Sequence, residues 1–332
     1  MSSIWGNQLK ISVFGESHGE AIGVTINGLP PGIQIDFDMI RSELARRAPG
    51  QNELTTPRKE SDDFEVISGL FKSSTTGAPL TAICRNSDVR SEDYQPTCPR
   101  PGHADLVAIE KYGGFSDYRG GGHFSGRLTA PIVFAGAIAK QILQSIYDVT
   151  INAVIVEIHG ETEHELQNEA IAEAKSNGDS VGGIIECVIS NPPKSLGEPM
   201  FGSVESIISS IMFSIPAVKG VEFGDGFSFA NKYGSEVSDG IVYEYDSIKY
   251  SANHNGGING GISNGEPIVF RVAIKPTPTI SLPQNTVDLK SGENIVHSFS
   301  GRHDPCIVQR ALPVVECAAA IALLDIQFSS NN

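Results

Sequence analysis

The chain has 332 residues, 40% hydrophobic and 19% charged, enough apolar material for a large core or two lobes. Its formal charge of −15 argues against a nucleic-acid partner, which calls for a basic surface. Five cysteines with no Cys-x-x-Cys pair point to reduced thiols in a cytoplasmic protein and away from a zinc site. Lys10 and Glu16 interrupt any signal peptide, and the longest uncharged apolar run, Leu128 to Ala139, is too short to span a bilayer.

In chain order, Leu9–Phe14 and Ala21–Ile26 read as strands around the turn Gly15-Glu16-Ser17-His18-Gly19, which puts His18 at a strand end. Asp36 or Asp38 caps a helix through Ala45 that carries Arg41, Arg46 and Arg47 and stops at Pro49-Gly50. Gln51–Lys59 is a polar loop of the kind that closes over ligands or is simply disordered. Glu65–Leu70 and Leu80–Cys84 are strand-like, and Asp105–Tyr112 is a short helix with His103 just before its positive end. Leu128–Ile142 is the most apolar helix, with Pro131 tolerated in its first turn. Val149–Ile158 and Gly183–Ser190 are strands flanking a solvated helix over Glu163–Ser176. Val204–Ile215 is helical up to Pro216, and Gly220–Phe223 is a strand. A glycine-rich loop, Asn253 to Gly261, precedes the strand Pro267–Ile274 and the stiff turn Lys275-Pro276-Thr277-Pro278-Thr279. Arg302, His303 and Asp304 lead into a C-terminal helix over Ile307–Leu324; Asp304 alone could be a simple N-cap. Local strand pairs separated by long helices indicate an α+β fold with helices packed on antiparallel sheets. No Gly-x-Gly-x-x-Gly follows the first strand, so a dinucleotide-binding doubly wound sheet is not expected.

Charge is unevenly distributed. Nine of the 12 arginines lie at or before Arg127, and residues 128–270 contain none. An acidic chain that gathers its guanidinium groups in this way builds a local site for an anionic small molecule. The stretch Arg100 to Arg127 concentrates the chemistry: Arg100-Pro101-Gly102-His103-Ala104-Asp105, then Asp117-Tyr118-Arg119-Gly120-Gly121-Gly122-His123-Phe124-Ser125-Gly126-Arg127. Glycines admit positive φ and close approach to a ligand, arginines supply bidentate donors, and His103 and His123 exchange protons near neutrality. A metal-dependent phosphohydrolase using His18, His103, His303 and Asp304 is a competing reading, but the spacing lacks a tight ligand pair. A phosphometabolite-binding protein without catalysis is another.

Four motifs occur together in order: Gly15-Glu16-Ser17-His18-Gly19, Arg100 to Asp105, Asp117 to Gly122, and Gly301-Arg302-His303-Asp304-Pro305-Cys306. With the Asn253–Gly261 loop and the Lys275 turn between them, they resemble chorismate synthases over nearly the whole chain. The resemblance implies one domain over 1–332, with long helices sandwiched between two antiparallel sheets, assembled as a homotetramer. It implies an anti-1,4 elimination of phosphate from 5-enolpyruvylshikimate 3-phosphate to give chorismate, requiring reduced FMN without net redox change, with NADPH as a possible reductant. By the same resemblance, Arg41, Arg46, Arg47, Ser125, Gly126, Arg127 and Arg302 would hold the substrate anions. His18 would protonate the reduced flavin, His103 the leaving phosphate, and Asp304 would help deprotonate flavin N5. FMN would contact His123, Phe124, Ser125, Pro216, Ala217, Gly260, Lys275, Pro276, Thr277, Pro278, Thr279 and Arg302, and Arg47 matches an NADP-binding position. The chain departs from the family pattern at His123-Phe124, where Arg-Ser is usual, at Glu53, where an arginine is common, and at Pro216-Ala217, where Asn-Ala is usual.

Overall fold

The structure, a computed structural model, describes residues 3–50, 62–87, 94–299, 301 and 304–330. Lys10–Gly15 pairs antiparallel with Ala21–Asn27, and Leu80–Arg85 pairs with the other edge of Ala21–Asn27. Ile22, Val24 and Ile26 alternate inward along that central strand and are essentially sealed from solvent. Ile4–Trp5 and Glu65–Ser68 complete this first sheet at its two edges. A bulge after Val66 ends the pairing at Ser68, so the strand expected over Glu65–Leu70 is broken at Gly69. The second sheet is also antiparallel, in the order Val218–Phe223, Ile268–Ile274, Gly183–Ser190, Thr150–Ile158.

Among the described residues, six α-helices accompany the sheets: α1 (Phe37–Arg47), α2 (Asp105–Lys111), α3 (Thr129–Tyr147), α4 (His164–Ser176), α5 (Val204–Met212) and α6 (Val308–Ser330). Helix α3 packs on the first sheet, α6 on the second, and the two pack on each other, which gives the sandwich expected from the sequence. Each is apolar nearly all round because both faces are covered. By composition α6 could cross a bilayer, but 89% of its most apolar stretch is buried inside the fold. The helices meet closely at Gly136, where a Cβ would lie 2.2 Å from Cys317 Cβ. One apolar core joins Val24 and Leu80 of the first sheet to Ile185 and Phe270 of the second.

Buried polar groups pin this layer. The Asp325 carboxylate accepts the backbone N–H groups of Asn7, Gln8 and Leu9 and ties the N-terminal segment to α6. Glu316 accepts from Arg46 at 2.6 and 2.9 Å, from Lys140 at 2.9 Å and from the Ala153 N–H at 3.0 Å. Helix α1 starts at the Asp36 cap, whose carboxylate accepts from Asp38 and Met39. Two hairpins go beyond the elements read from sequence, Ile241–Glu244 with Ser247–Tyr250 and Gln284–Asp288 with Glu293–His297.

Candidate active site

Three consecutive left-handed glycines shape the site. Gly120, Gly121 and Gly122 all have positive φ, and two of them back directly onto imidazoles. A Cβ at Gly120 would sit 2.1 Å from His18 Nδ1, and one at Gly121 would sit 2.9 Å from His103 Cε1. The third glycine accepts the Ser17 N–H at 3.1 Å, which locks the His18 turn under the loop. The loop therefore seats both histidines, and no other residue type leaves room for them. Substituting Gly120→Ala is expected to displace His18 and to cost about 1 kcal/mol of stability from the positive φ alone. Turnover should fall further than that stability loss explains, and thermal melts beside steady-state rates will separate the two effects.

A cavity of about 860 Å³ opens beside this loop. Its walls come from the end of α1, the segments 100–104 and 123–129, the turns 213–219 and 275–279, and the start of α6. His103, Asp304, Arg47, Arg127, His123, Phe124, Ser125 and Gly126 line it, as do Pro216, Ala217, Lys275, Thr277, Pro278 and Thr279. His18 does not reach the wall: it lies behind Gly120, with its ring 5.3 Å from the Tyr94 ring, edge to face. Arg302, His303, Glu53 and the loop Gln51–Lys59 lie outside the described residues.

The three arginines of α1 do not act together. At about 100° per residue, positions 41, 46 and 47 point in directions roughly 100–140° apart. Only Arg47 faces the cavity. Arg46 is half-buried at the rim of the core and pairs with Glu316 and Glu43, which raise its pKa against the cost of burial. Arg41 is exposed and pairs with Asp38 one turn away. Pro276 packs at Gly182 instead of the cavity, and Gly260 sits at the tip of the small hairpin Ile258–Ser263, away from it.

Charge in the cavity floor is balanced by residues with no sequence signature. Asp62 is almost fully buried between two guanidinium groups: Arg47 Nη2 lies 2.6 Å from its Oδ2, and Arg127 Nη1 contacts Oδ1. Burial lowers the Arg47 pKa to about 10, helped by the like charges of Arg310 and Arg127, while Asp62 works the other way. Arg310 donates to Asp304 Oδ2 at 2.6 Å and to the Arg47 carbonyl at 3.1 Å. Burial raises the Asp304 carboxyl above its ordinary range, and Arg310 opposes that rise. Helix α6 begins at Val308, so Asp304 is not its N-cap. The opposite wall is knitted together by Lys275 Nζ, which donates to the Gly102 carbonyl at 2.7 Å. His123 holds the glycine loop to the first sheet through Nδ1, 2.9 Å from the Gly15 carbonyl.

Tyr94, Arg100, Asp105, Asp62 and Arg310 complete the site without having been singled out as functional in the sequence. Arg100 and Asp105 flank His103 in one motif and were within reach of sequence reasoning. Tyr94, Asp62 and Arg310 carry no local pattern. Among the described residues, no three His, Cys, Asp or Glu side chains converge as metal ligands.

Comparison with known proteins converges on one family. The family model described as chorismate synthase matches residues 9–328. Chorismate synthase of Chitinophaga pinensis is 50% identical over 323 residues, covering 97% of this chain and 95% of that protein. That of Korarchaeum cryptofilum is 44% identical over 348 residues, covering 97% and 96%. A crystal structure of chorismate synthase matches with a TM-score of 0.74 at 27% identity over 98% of this chain and 93% of that one. A fold, a motif order and a site architecture thus agree with nearly full-length identity, and the chain belongs to the chorismate synthase family.

Proposed function

We propose that the 860 Å³ cavity is where this chain converts 5-enolpyruvylshikimate 3-phosphate to chorismate, with reduced FMN bound beside the substrate. The observation that carries this reading is the convergence of His103, Asp304, Arg47 and Arg127 on one cavity that also has an apolar side of Phe124, Phe213, Ile215 and Val314. Two carboxylates and a phosphate on the substrate match guanidinium donors, and the apolar side suits a planar ring. One buried oxygen on the cavity lining, Thr277 Oγ1, has no hydrogen-bond partner among the described residues and is left for a ligand. The residues present therefore fit a flavin, with Thr277, Thr279, Ser125 and Lys275 as its polar contacts.

Reduced FMN supplies the electron density that an allylic phosphate needs in order to leave. The protein does the rest. Arg127 and Arg47 bind and orient the anions. His103, protonated on both ring nitrogens, delivers its Nε2 proton to the departing phosphate and keeps the one on Nδ1. Asp304, with its carboxyl raised by burial, would act as the base toward flavin N5. His18, seated under the glycine loop, would supply the proton that lowers the charge of reduced flavin.

The test is anaerobic: purified protein, substrate and dithionite-reduced FMN should yield chorismate, and omission of reduced FMN should abolish it. No chorismate with reduced FMN would refute the reading. Parallel reactions with NADPH and oxidised FMN decide whether the chain reduces its own flavin. We further place the protein in the cytoplasm, on its five free buried cysteines, and as a homotetramer. The hairpin Ile241–Tyr250 supports assembly, since Ile241, Tyr243 and Tyr245 are each at least 70% exposed, a large apolar surface for a monomer. Light scattering at the monomer mass would contradict it.

A further inference from the structure

The segment entering α2 holds a three-residue constellation of which the cavity chemistry above uses only His103. His103 Nδ1 lies 2.7 Å from Asp105 Oδ1. Arg100 grips the same carboxylate with Nε at 2.7 Å and Nη2 at 2.8 Å, and its backbone N–H adds a third donor at 3.0 Å. Arg100 Nη2 also lies 3.2 Å from His103 Nδ1. A guanidinium only donates and an ionised carboxylate only accepts, so these contacts are consistent in one protonation pattern. Nδ1 of His103 carries a proton and donates it in a hydrogen bond to Asp105, and the Arg100 contact to Nδ1 is proximity, not a hydrogen bond. Nε2 is then the nitrogen that gains a proton to form the imidazolium and delivers that proton, while Nδ1 keeps its own.

We infer that Asp105 is a positioning residue: with Arg100 behind it, it fixes His103 in the Nδ1–H tautomer and aims Nε2 at the cavity. Burial alone would push the Asp105 carboxyl up, but the hydrogen bonds from Arg100 and His103 outweigh it and hold it well below the usual carboxylate range. It therefore stays an ionised acceptor near neutral pH. Arg100 is itself fixed, with its guanidinium 5.3 Å from the Tyr94 ring centre and Nη1 3.5 Å from Thr279 Oγ1. The same logic orients a histidine through a carboxylate in hydrolase triads, where the amide replacement selects the wrong tautomer.

Asp105→Asn makes the inference sharp. The amide has one oxygen, and Oδ2 receives two Arg100 donors against one at Oδ1. The amide oxygen takes the Oδ2 position, and the NH₂ then faces His103 Nδ1 and turns it into an acceptor. The tautomer should flip to Nε2–H. This rests on the proposed role of His103, so the primary measurement is made on the unliganded full-length chain. Histidine-¹⁵N NMR, with His103 assigned by loss of its signals in His103→Gln, should show Nδ1–H in the parent and Nε2–H in Asp105→Asn. Turnover of the variant should fall ~10-fold or more, with FMN affinity from absorbance titration within about 3-fold. An Nε2–H tautomer in the parent, or no change in the variant, overturns the inference. Should Asp105→Asn fail to fold, the parent spectrum decides alone. Failure of the functional reading would show as absent chorismate formation and would leave the tautomer unaffected.

Discussion

Replacing His103 with alanine should lower turnover ~10²-fold or more while leaving FMN and substrate binding within a few-fold of the parent. That range corresponds to about 2.7 kcal/mol or more of transition-state stabilisation. The asymmetry between rate and binding follows from what the imidazole touches. The guanidinium groups of Arg47 and Arg127, proposed to bind the anions, are held by Asp62, and the apolar side of the cavity by other segments; neither leans on His103. The substitution does not orphan its partner either. Asp105 keeps both Arg100 side-chain hydrogen bonds and the Arg100 backbone N–H, so no buried carboxylate is stranded. The fold around α2 should survive and the lost rate should report proton delivery. Single-turnover kinetics with chemically reduced FMN, beside a flavin titration, provide the measurement. Near-parent turnover would remove His103 from the reaction; equal losses in binding and rate would make it a binding group instead.

Contiguous parts of the site were legible before the structure because they are encoded in contiguous residues. The glycine run, the His103 motif and the Lys275–Thr279 turn each carry their chemistry within a few positions. The fold brings the His103 motif and the Lys275–Thr279 turn, apart from Pro276, to one cavity, with the glycine run packed against His18 and His103. What escaped the sequence depends on direction or on distance. The family resemblance implies Arg41 and Arg46 as substrate ligands beside Arg47, and in this structure helical rotation places the first against Asp38 and the second against Glu43 and Glu316. Asp62 and Arg310 act through partners far along the chain, and an isolated aspartate or arginine gives no periodic or local sign of that. Tyr94 gives none either, although it links the His18 ring to the Arg100 guanidinium. The sandwich itself was accessible through the apolar runs that became α3 and α6. The hairpin Ile241–Tyr250 was not, since both of its faces are exposed and no inward–outward alternation results. Its turn also lacks the usual glycine or asparagine: Tyr245 and Asp246 themselves take φ of 47° and 60°.

Loss of the Asp62 charge should be the most damaging single change to the cavity's architecture. The Asp62, Arg47 and Arg127 side chains are each at most 2% exposed, so two guanidinium groups share one buried counter-ion. In Asp62→Asn the shape is kept and the charge is not, which leaves two buried cations facing each other. Breaking a buried pair by removing one partner costs about 3–5 kcal/mol, because the remaining charge is uncompensated. The parent Arg47 already feels that strain, since burial and its cationic neighbours bring its pKa down to about 10 even with Asp62 present. Denaturant melts should therefore show a loss of about 3–5 kcal/mol in Asp62→Asn. Inorganic phosphate supplies the discriminating measurement. An anion entering the cavity can replace part of the missing charge, so added phosphate should raise the melting temperature of the variant more than that of the parent. If the cavity floor were a passive structural salt bridge remote from any anion site, phosphate would stabilise both proteins equally. A variant within 1 kcal/mol of the parent would show that water or local rearrangement, and not Asp62, balances the two arginines.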